Sequence, residues 1–349
     1  MKTIKRVTGT IVFLGIAAAL LIASSYLVRP VTEGFLLGRM AGFYSEEENS
    51  IDVTFYGSSA LYRFINVTQL WDEYGFTSYN LSTPSQPISA VKYLMEEADR
   101  EQSPQLYVVE CRRFLGNGTG LKEKNVRWVT DNMPYSINRF EAVSEMTANK
   151  EKKLSYYFDL VKYHDNWEDI GVMSLNRLTN NLTWDRKGWA EQNDVAEGQE
   201  APNIIGEDET VPITEYAEEQ LRELIEECKE EGREVLFLAT PFKIKKESQG
   251  NYNYIRGIVE ESGYQFLDCN RYIEEIGLDY SRDFYDTRHT NSLGAQKVTK
   301  FVGKYIMDHY SIDTEYNAEV TADWNAAAQK GRETFEEAKE EILIKAGEE

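Results

Sequence analysis

Val7 to Val28 runs for twenty-two residues without a charged side chain, through Ile11-Val12-Phe13-Leu14 and Leu20-Leu21-Ile22. As a helix, that length crosses a bilayer core of about 30 Å. Residues 29–50 follow as a juxtamembrane stalk carrying Phe35, Leu36, Leu37, Met40 and Phe43, a pattern compatible with lying on a membrane surface or packing onto the body. Short apolar runs then alternate with amphipathic stretches. Ile51–Tyr56, Thr77–Leu81, Gln105–Glu110, Glu234–Ala239 and Gln265–Asp268 predict strands. A stretch from about Leu61, Leu70–Gly75, Ile88–Arg100, Thr214–Gly232, Tyr252–Ser262 and Gly294–Tyr310 predict helices. The β-α-β-α-β order argues for a mostly parallel sheet with right-handed crossovers. From 115 to about 212 the rhythm breaks, which predicts a long insertion with a helix near Ser136–Lys152 and a mobile polar loop at Asn193–Thr210. Residues 311–349 read as an acidic amphipathic helix. The expected plan is an anchor at 1–28, the stalk, an α/β body over 51–310, and the C-terminal helix.

Composition narrows the function classes. With 349 residues, 42% hydrophobic, the chain is long enough for a sizeable core. A formal net charge of −21 leaves no basic face for phosphates and argues against nucleic-acid binding. Met1–Arg6 carries three positive charges ahead of the apolar run, so a cytoplasmic N-terminus and an external body are expected. Ala23-Ser24-Ser25 also suits a cleaved signal peptide, but the apolar run exceeds the usual length of about 7–15 residues and favours an uncleaved, single-pass anchor. Cys111, Cys228 and Cys269 are odd in number and widely spaced, so no disulfide scaffold is expected. The histidines His164, His289 and His309 are scattered, which argues against a zinc site; no metal and no organic cofactor is expected.

Two stretches carry candidate chemistry. In Asp286-Thr287-Arg288-His289, a carboxylate three positions before an imidazole can hold one ring nitrogen and leave the other free to take a proton. In Gly57-Ser58-Ser59, a strand ending in a small hydroxyl residue before a helix would place Ser59 at the carboxyl edge of a sheet, where open α/β folds keep their sites. Trp128, Trp167 and Trp189 could stack on sugar rings, and His164 could touch a substrate, though core or structural roles are the default for all four.

Three blocks, Gly57-Ser58-Ser59, Asn80-Leu81-Ser82 and Asp286-x-x-His289 before the last helix, together resemble the SGNH/GDSL hydrolase superfamily over about residues 52–310. More closely, the chain resembles the membrane-anchored cell-envelope branch that includes DltD-like and alginate O-acetylation proteins. The resemblance implies a flavodoxin-like three-layer α/β/α domain, with Ser59 as nucleophile, His289 as general base and Asp286 orienting it. It implies a serine esterase or O-acyltransferase acting on a cell-envelope polymer or acylated carrier, with a membrane-bound O-acyltransferase as possible partner. The superfamily takes oxyanion donors from a second-block glycine and a third-block asparagine. Here Ser82 stands at the former position, and Glu110-Cys111-Arg112-Arg113 replaces the third block. Losing such a donor costs about 3–4 kcal/mol of barrier lowering. Arg112 or Arg113 could substitute, or simply pair with Glu110, while Asn80 and Gln86 either line the cleft or hold their turn. The alternatives are a non-catalytic envelope component keeping the same fold and a plain carbohydrate-binding surface protein.

Overall fold

The computed structural model describes residues 2–30, 34–116, 118–147, 149–196 and 204–348. Helix α1 (Lys2–Val28) holds the apolar run; its Ile4–Val28 portion contains an 18-residue window of mean hydropathy 2.4 and is long and apolar enough to cross a membrane. Helix α2 (Gly34–Ala41) follows and belongs to the body, because Met40 and Phe43 are buried, Phe43 meets the Tyr79 ring edge-on, and Tyr79 Oη donates to the Arg39 carbonyl at 3.0 Å. That settles which way the stalk packs.

Strand β1 (Val53–Gly57), helices α3 (Ser59–Tyr62) and α4 (Val67–Tyr74), strand β2 (Ser78–Ser82), helix α5 (Ala90–Glu101) and strand β3 (Leu106–Glu110) come next. Five helices fill the insertion: α6 (Glu123–Thr130), α7 (Ile137–Met146), α8 (Lys150–Tyr157), α9 (Asp159–Tyr163) and α10 (Val172–Leu178). The alternation resumes with α11 (Glu215–Glu230), β4 (Val235–Ala239), α12 (Lys246–Glu261), β5 (Gln265–Asp268), α13 (Ile273–Ile276) and α14 (Ser292–His309), and α15 (Ala318–Ala346) closes the described chain.

All five strands pair in parallel, in the order β2-β1-β3-β4-β5. This is one of the two common doubly wound orders, and its switch point lies between β1 and β3. The period-two pleat sends Val53, Phe55, Val108 and Leu236 into one core with α4 and α14. Tyr56, Val109 and Phe237 go into the other with α5, α11 and α12. Helices therefore cover both faces, and the central strands β3 and β4 are buried on both sides, which is why they read as nearly continuous apolar runs.

Three expectations change on contact with the fold. The helix anticipated from Leu61 is a single turn, α3, and the chain needs a second start at the Asn66 cap, whose Oδ1 accepts from Thr68 N at 3.1 Å. The helix anticipated over Ser136–Lys152 breaks at Thr147, extended at φ −113°, ψ 97°, and restarts where Asn149 caps Glu151 N at 3.0 Å. Of the loop at Asn193–Thr210, positions 197–203 lie outside the described residues. The part beyond them is fastened rather than loose: Asn253 Nδ2 donates to the Gly206 and Glu209 carbonyls, each at 2.8 Å.

The insertion is organised around a buried charge cluster. Arg29, just past α1, donates from Nε to Asp159 Oδ2 at 2.6 Å, and Arg139 Nη2 reaches Asp159 Oδ1 at 3.2 Å. Tyr135 Oη adds a bond to Asp159 Oδ2 at 2.6 Å, and the Arg29 guanidinium stacks 4.4 Å from the Tyr26 ring centroid. Asp159 has 0% exposure, so removing it strands two buried guanidinium groups. Asp159→Ala is therefore expected to cost about 3–5 kcal/mol, readable as a fall in the denaturant midpoint of the full chain in detergent.

Candidate active site

The site lies at the carboxyl edge of the sheet. Gly57 ends β1, and a Cβ there would sit 2.8 Å from the Cβ of Glu110 on the neighbouring strand, so the sharp exit requires glycine. Ser58 caps α3 and is buried, its Oγ 3.5 Å from Ala60 N. Ser59, the next residue, is half-buried and turns its Oγ to His289 Nε2 at 2.8 Å. The two adjacent serines thus separate into a cap and a presented hydroxyl. With one turn of helix behind it, Ser59 gains less from aligned peptide dipoles than a long helix would give.

His289 sits in a tight loop. Phe284 and Thr290 form an isolated antiparallel bridge, and Tyr285 N donates to the His289 carbonyl at 3.1 Å. Asp286 Oδ1 accepts from the backbone N–H groups of Arg288 and His289 at 2.7 and 2.8 Å, and its carboxylate meets His289 Nδ1 at 2.9–3.0 Å. The carboxylate assigns the ring proton to Nδ1 and leaves Nε2 as the acceptor for the Ser59 hydroxyl. The loop re-enters α14 through Asn291, whose Oδ1 accepts from Leu293 N and Gly294 N at 3.2 Å each. A Cβ on Gly294 would fall 2.3 Å from the Asp283 carbonyl oxygen, so this close approach also needs glycine.

Four ties rivet the loop to its surroundings. Thr290 Oγ1 donates to the Arg63 carbonyl at 2.9 Å, directly after the turn that carries Ser59. Lys243 N donates to the Thr287 carbonyl at 3.2 Å, and Ser292 N to that of Gln192 at 2.8 Å. Arg112 Nη1 donates to the Arg288 carbonyl at 2.5 Å, while Nη2 bonds Thr240 Oγ1 at 2.8 Å and the Thr240 carbonyl at 3.2 Å. Both Nη groups of Arg112 thus bond loop oxygens while its buried Nε has no described hydrogen-bond partner, and the guanidinium stacks 4.3 Å from the Phe242 ring centroid. It pins the loop that carries His289 rather than merely pairing with Glu110, whose Oε1 lies 3.9 Å away.

The remaining candidates line the same edge. Ser82 pairs in register with Gly57 and donates its hydroxyl to Asn80 Oδ1. Gln86 Oε1 accepts from Thr83 N at 2.9 Å, and Arg113 Nε donates to the Gln86 carbonyl at 3.2 Å, so these two hold the next turn together. Asn80 and Gln86 are buried, and neither amide nitrogen has a described hydrogen-bond partner. Trp189 belongs to the core, not to a sugar platform, and His164 stands exposed on the 164–169 turn against the end of α1. The insertion reaches the site through residues 190–192, not its aromatic middle: Ala190 N donates to the Tyr62 carbonyl at 3.0 Å.

Sequence reasoning missed Arg63, Thr290, Tyr285 and Thr240. Arg63 stands four residues after Ser59, a helical spacing that was available as a signal, and its guanidinium lies 5.7 Å from the Tyr285 ring, which in turn stacks on His289 at 5.4 Å. Among the described residues, no group of three or more His, Cys, Asp or Glu side chains is arranged to hold a metal ion. In comparisons with known proteins, no family model and no curated sequence matches the chain.

Burial holds the His289 pKa below its usual 6.5, helped by the positive charges of Arg112 and Arg63 and opposed by Asp286. Burial would raise Asp286, but its bonds from His289 and from two backbone N–H groups outweigh that and keep it below the usual carboxylate value. At neutral pH the pair is therefore a neutral imidazole beside an ionised carboxylate, and the proton-accepting form is lost as pH falls through a value under 6.5. Arg112→Ala removes a charge that disfavours the imidazolium, so the His289 titration followed by NMR is expected to move to higher pH. Arg112→Lys keeps the charge and is expected to move it less.

Proposed function

We propose that this chain is an extracytoplasmic serine esterase or O-acyltransferase, held to the membrane by α1 and acting on a cell-envelope polymer or acylated carrier through an acyl-serine. One observation carries the reading. Ser59 Oγ, His289 and Asp286 form a continuous hydrogen-bonded relay of 2.8 and 2.9–3.0 Å, on a serine that is half-buried. A serine hydroxyl is a weak nucleophile near neutral pH until an oriented imidazole removes its proton. The resemblance to the SGNH/GDSL superfamily supports the same roles for the same three residues.

In the proposed cycle, Ser59 Oγ attacks an ester carbonyl while its proton passes to His289 Nε2. The tetrahedral adduct collapses, the ester C–O bond breaks, and the leaving alcohol takes that proton. A second hydroxyl, from water or a sugar, then gives its proton to Nε2 and attacks the acyl-serine; the acyl–Oγ bond breaks and Oγ takes the proton back from Nε2, regenerating Ser59 and the neutral imidazole. Asp286 stabilises the imidazolium at both stages. A membrane-bound O-acyltransferase is the partner that the family resemblance suggests.

The site's other side favours slow turnover. Where the superfamily's third block supplies an asparagine, this chain has Glu110-Cys111-Arg112-Arg113, and the Nη groups of Arg112 bond the Thr240 and Arg288 carbonyls. That observation supports transfer over rapid hydrolysis, and it also supports the second reading, an envelope binding or assembly component with the same fold. A labelled fluorophosphonate separates the two. Covalent labelling of the full chain is expected, lost in Ser59→Ala and slowed on the order of 10³-fold or more in His289→Ala. An unlabelled wild type with an intact fold would point to the binding component.

A further inference from the structure

Ile4 to Ile22 presents an open surface broken only by a half-covered Ala17, and the body begins to cover the helix at Ala23. Its uncharged part, Val7–Ile22, is about 24 Å long at 1.5 Å per residue and takes up most of a hydrocarbon core of about 30 Å. The elements that grip the helix from Ala23 onward must then stand at the membrane boundary. They are α9, the 164–169 turn and α10. Asn166 Nδ2 donates to the Val28 carbonyl at 3.1 Å, and Tyr135 N donates to Tyr26 Oη at 3.1 Å, so the grip is specific.

These elements also expose apolar side chains at a density found nowhere else on the described body. Outside α1, fifteen large hydrophobic residues are exposed among the described residues, and eleven of them fall between Ile137 and Leu178. Val172 is 72% exposed and Trp167 64%, with Phe158, Val161 and Leu175 each about half exposed. A soluble surface seldom gathers such a patch unless something covers it. Trp167 follows Asn166, the residue bonded to the end of α1, which puts an open indole at the depth where interfacial tryptophans sit.

We infer that the 154–178 segment is an interfacial membrane-docking surface, its short helices lying in the outer headgroup region with Trp167, Val172 and Leu175 turned into the lipid. The inference rests on the anchored reading above. Continuity with α1 supplies the occupant, since a surface wrapped around the emerging end of a membrane span meets lipid first. Helical backbone suits that setting because its polar groups bond internally. The segment's exposed charges are Lys162 against Asp165, Glu168 and Asp169, so the attraction is apolar rather than electrostatic. Phosphatidylcholine alone suffices as the lipid, and adding anionic phosphatidylglycerol does not strengthen docking.

The three native cysteines are buried, so single spin labels can be placed on the full chain in phosphatidylcholine vesicles. Phe13→Cys reports the span, Val172→Cys the docking surface, and Glu230→Cys the acidic face of α11. Expected are a high oxygen-collision rate at both 13 and 172, loss of nickel-chelate collisions at 172 at a depth of about 5–10 Å, and full nickel access at 230. Adding Val161→Glu and Leu175→Glu, both at exposed positions, should restore nickel access at 172 while leaving 13 buried. A label at 172 open to nickel while 13 is immersed overturns the docking surface and leaves the anchor standing. A label at 172 shielded from both reagents overturns it in favour of a protein partner. A label at 13 in water overturns both.

Discussion

The separation of Ser59 and His289 by 230 positions is closed to a 2.8 Å contact because the carboxyl edge of one parallel sheet receives both chain segments. The hydroxyl arrives on a strand exit tight enough to demand Gly57. The imidazole arrives on a loop that would be free to swing were it not bonded to its neighbours through the carbonyls of Arg63, Gln192, Thr287 and Arg288. Each bond is ordinary, contributing on the order of 1 kcal/mol, but together they leave the ring one place to sit. The enzymatic proposal depends on that shared constraint more than on the identity of the three residues.

The same economy shapes Arg112. A guanidinium beside a base is usually read as a ligand for an anion, yet this one has its donors turned to main-chain oxygens of two loops. Its charge still acts on His289, lowering the readiness of the ring to hold a proton. Position and electrostatics are thus supplied by one side chain, at the place where the family resemblance leads one to look for an oxyanion donor.

The central strands β3 and β4 were legible in sequence because burial on both faces leaves nearly uninterrupted apolar runs, and the ends of all five strands lie within two residues of expectation. The pairing of Asp286 with His289 was legible because it is local. What sequence hid is whatever works through backbone carbonyls: Thr290, Ser292 and Arg112 have no pattern, since any residue can offer the acceptor. The insertion was hidden for a different reason. Its helices are short, broken at Thr147, and organised by Asp159 with Arg29 and Arg139, a cluster whose members are spread over 130 positions. Trp189 and Trp167 could not be told apart as core and surface without the fold.

Arg39, eleven residues beyond Val28, has its guanidinium 3.7 Å from the Tyr62 ring, in the same turn that begins with Ser59. Eleven residues fully stretched span at most about 40 Å. With α1 in the bilayer, the proposed nucleophile is on a short leash. Under the function proposed above, that confines its reach to the layer of the envelope next to the membrane. Met40 and Phe43, just past Arg39, are buried in the core, so a protease that cut the chain there would be cutting the body itself.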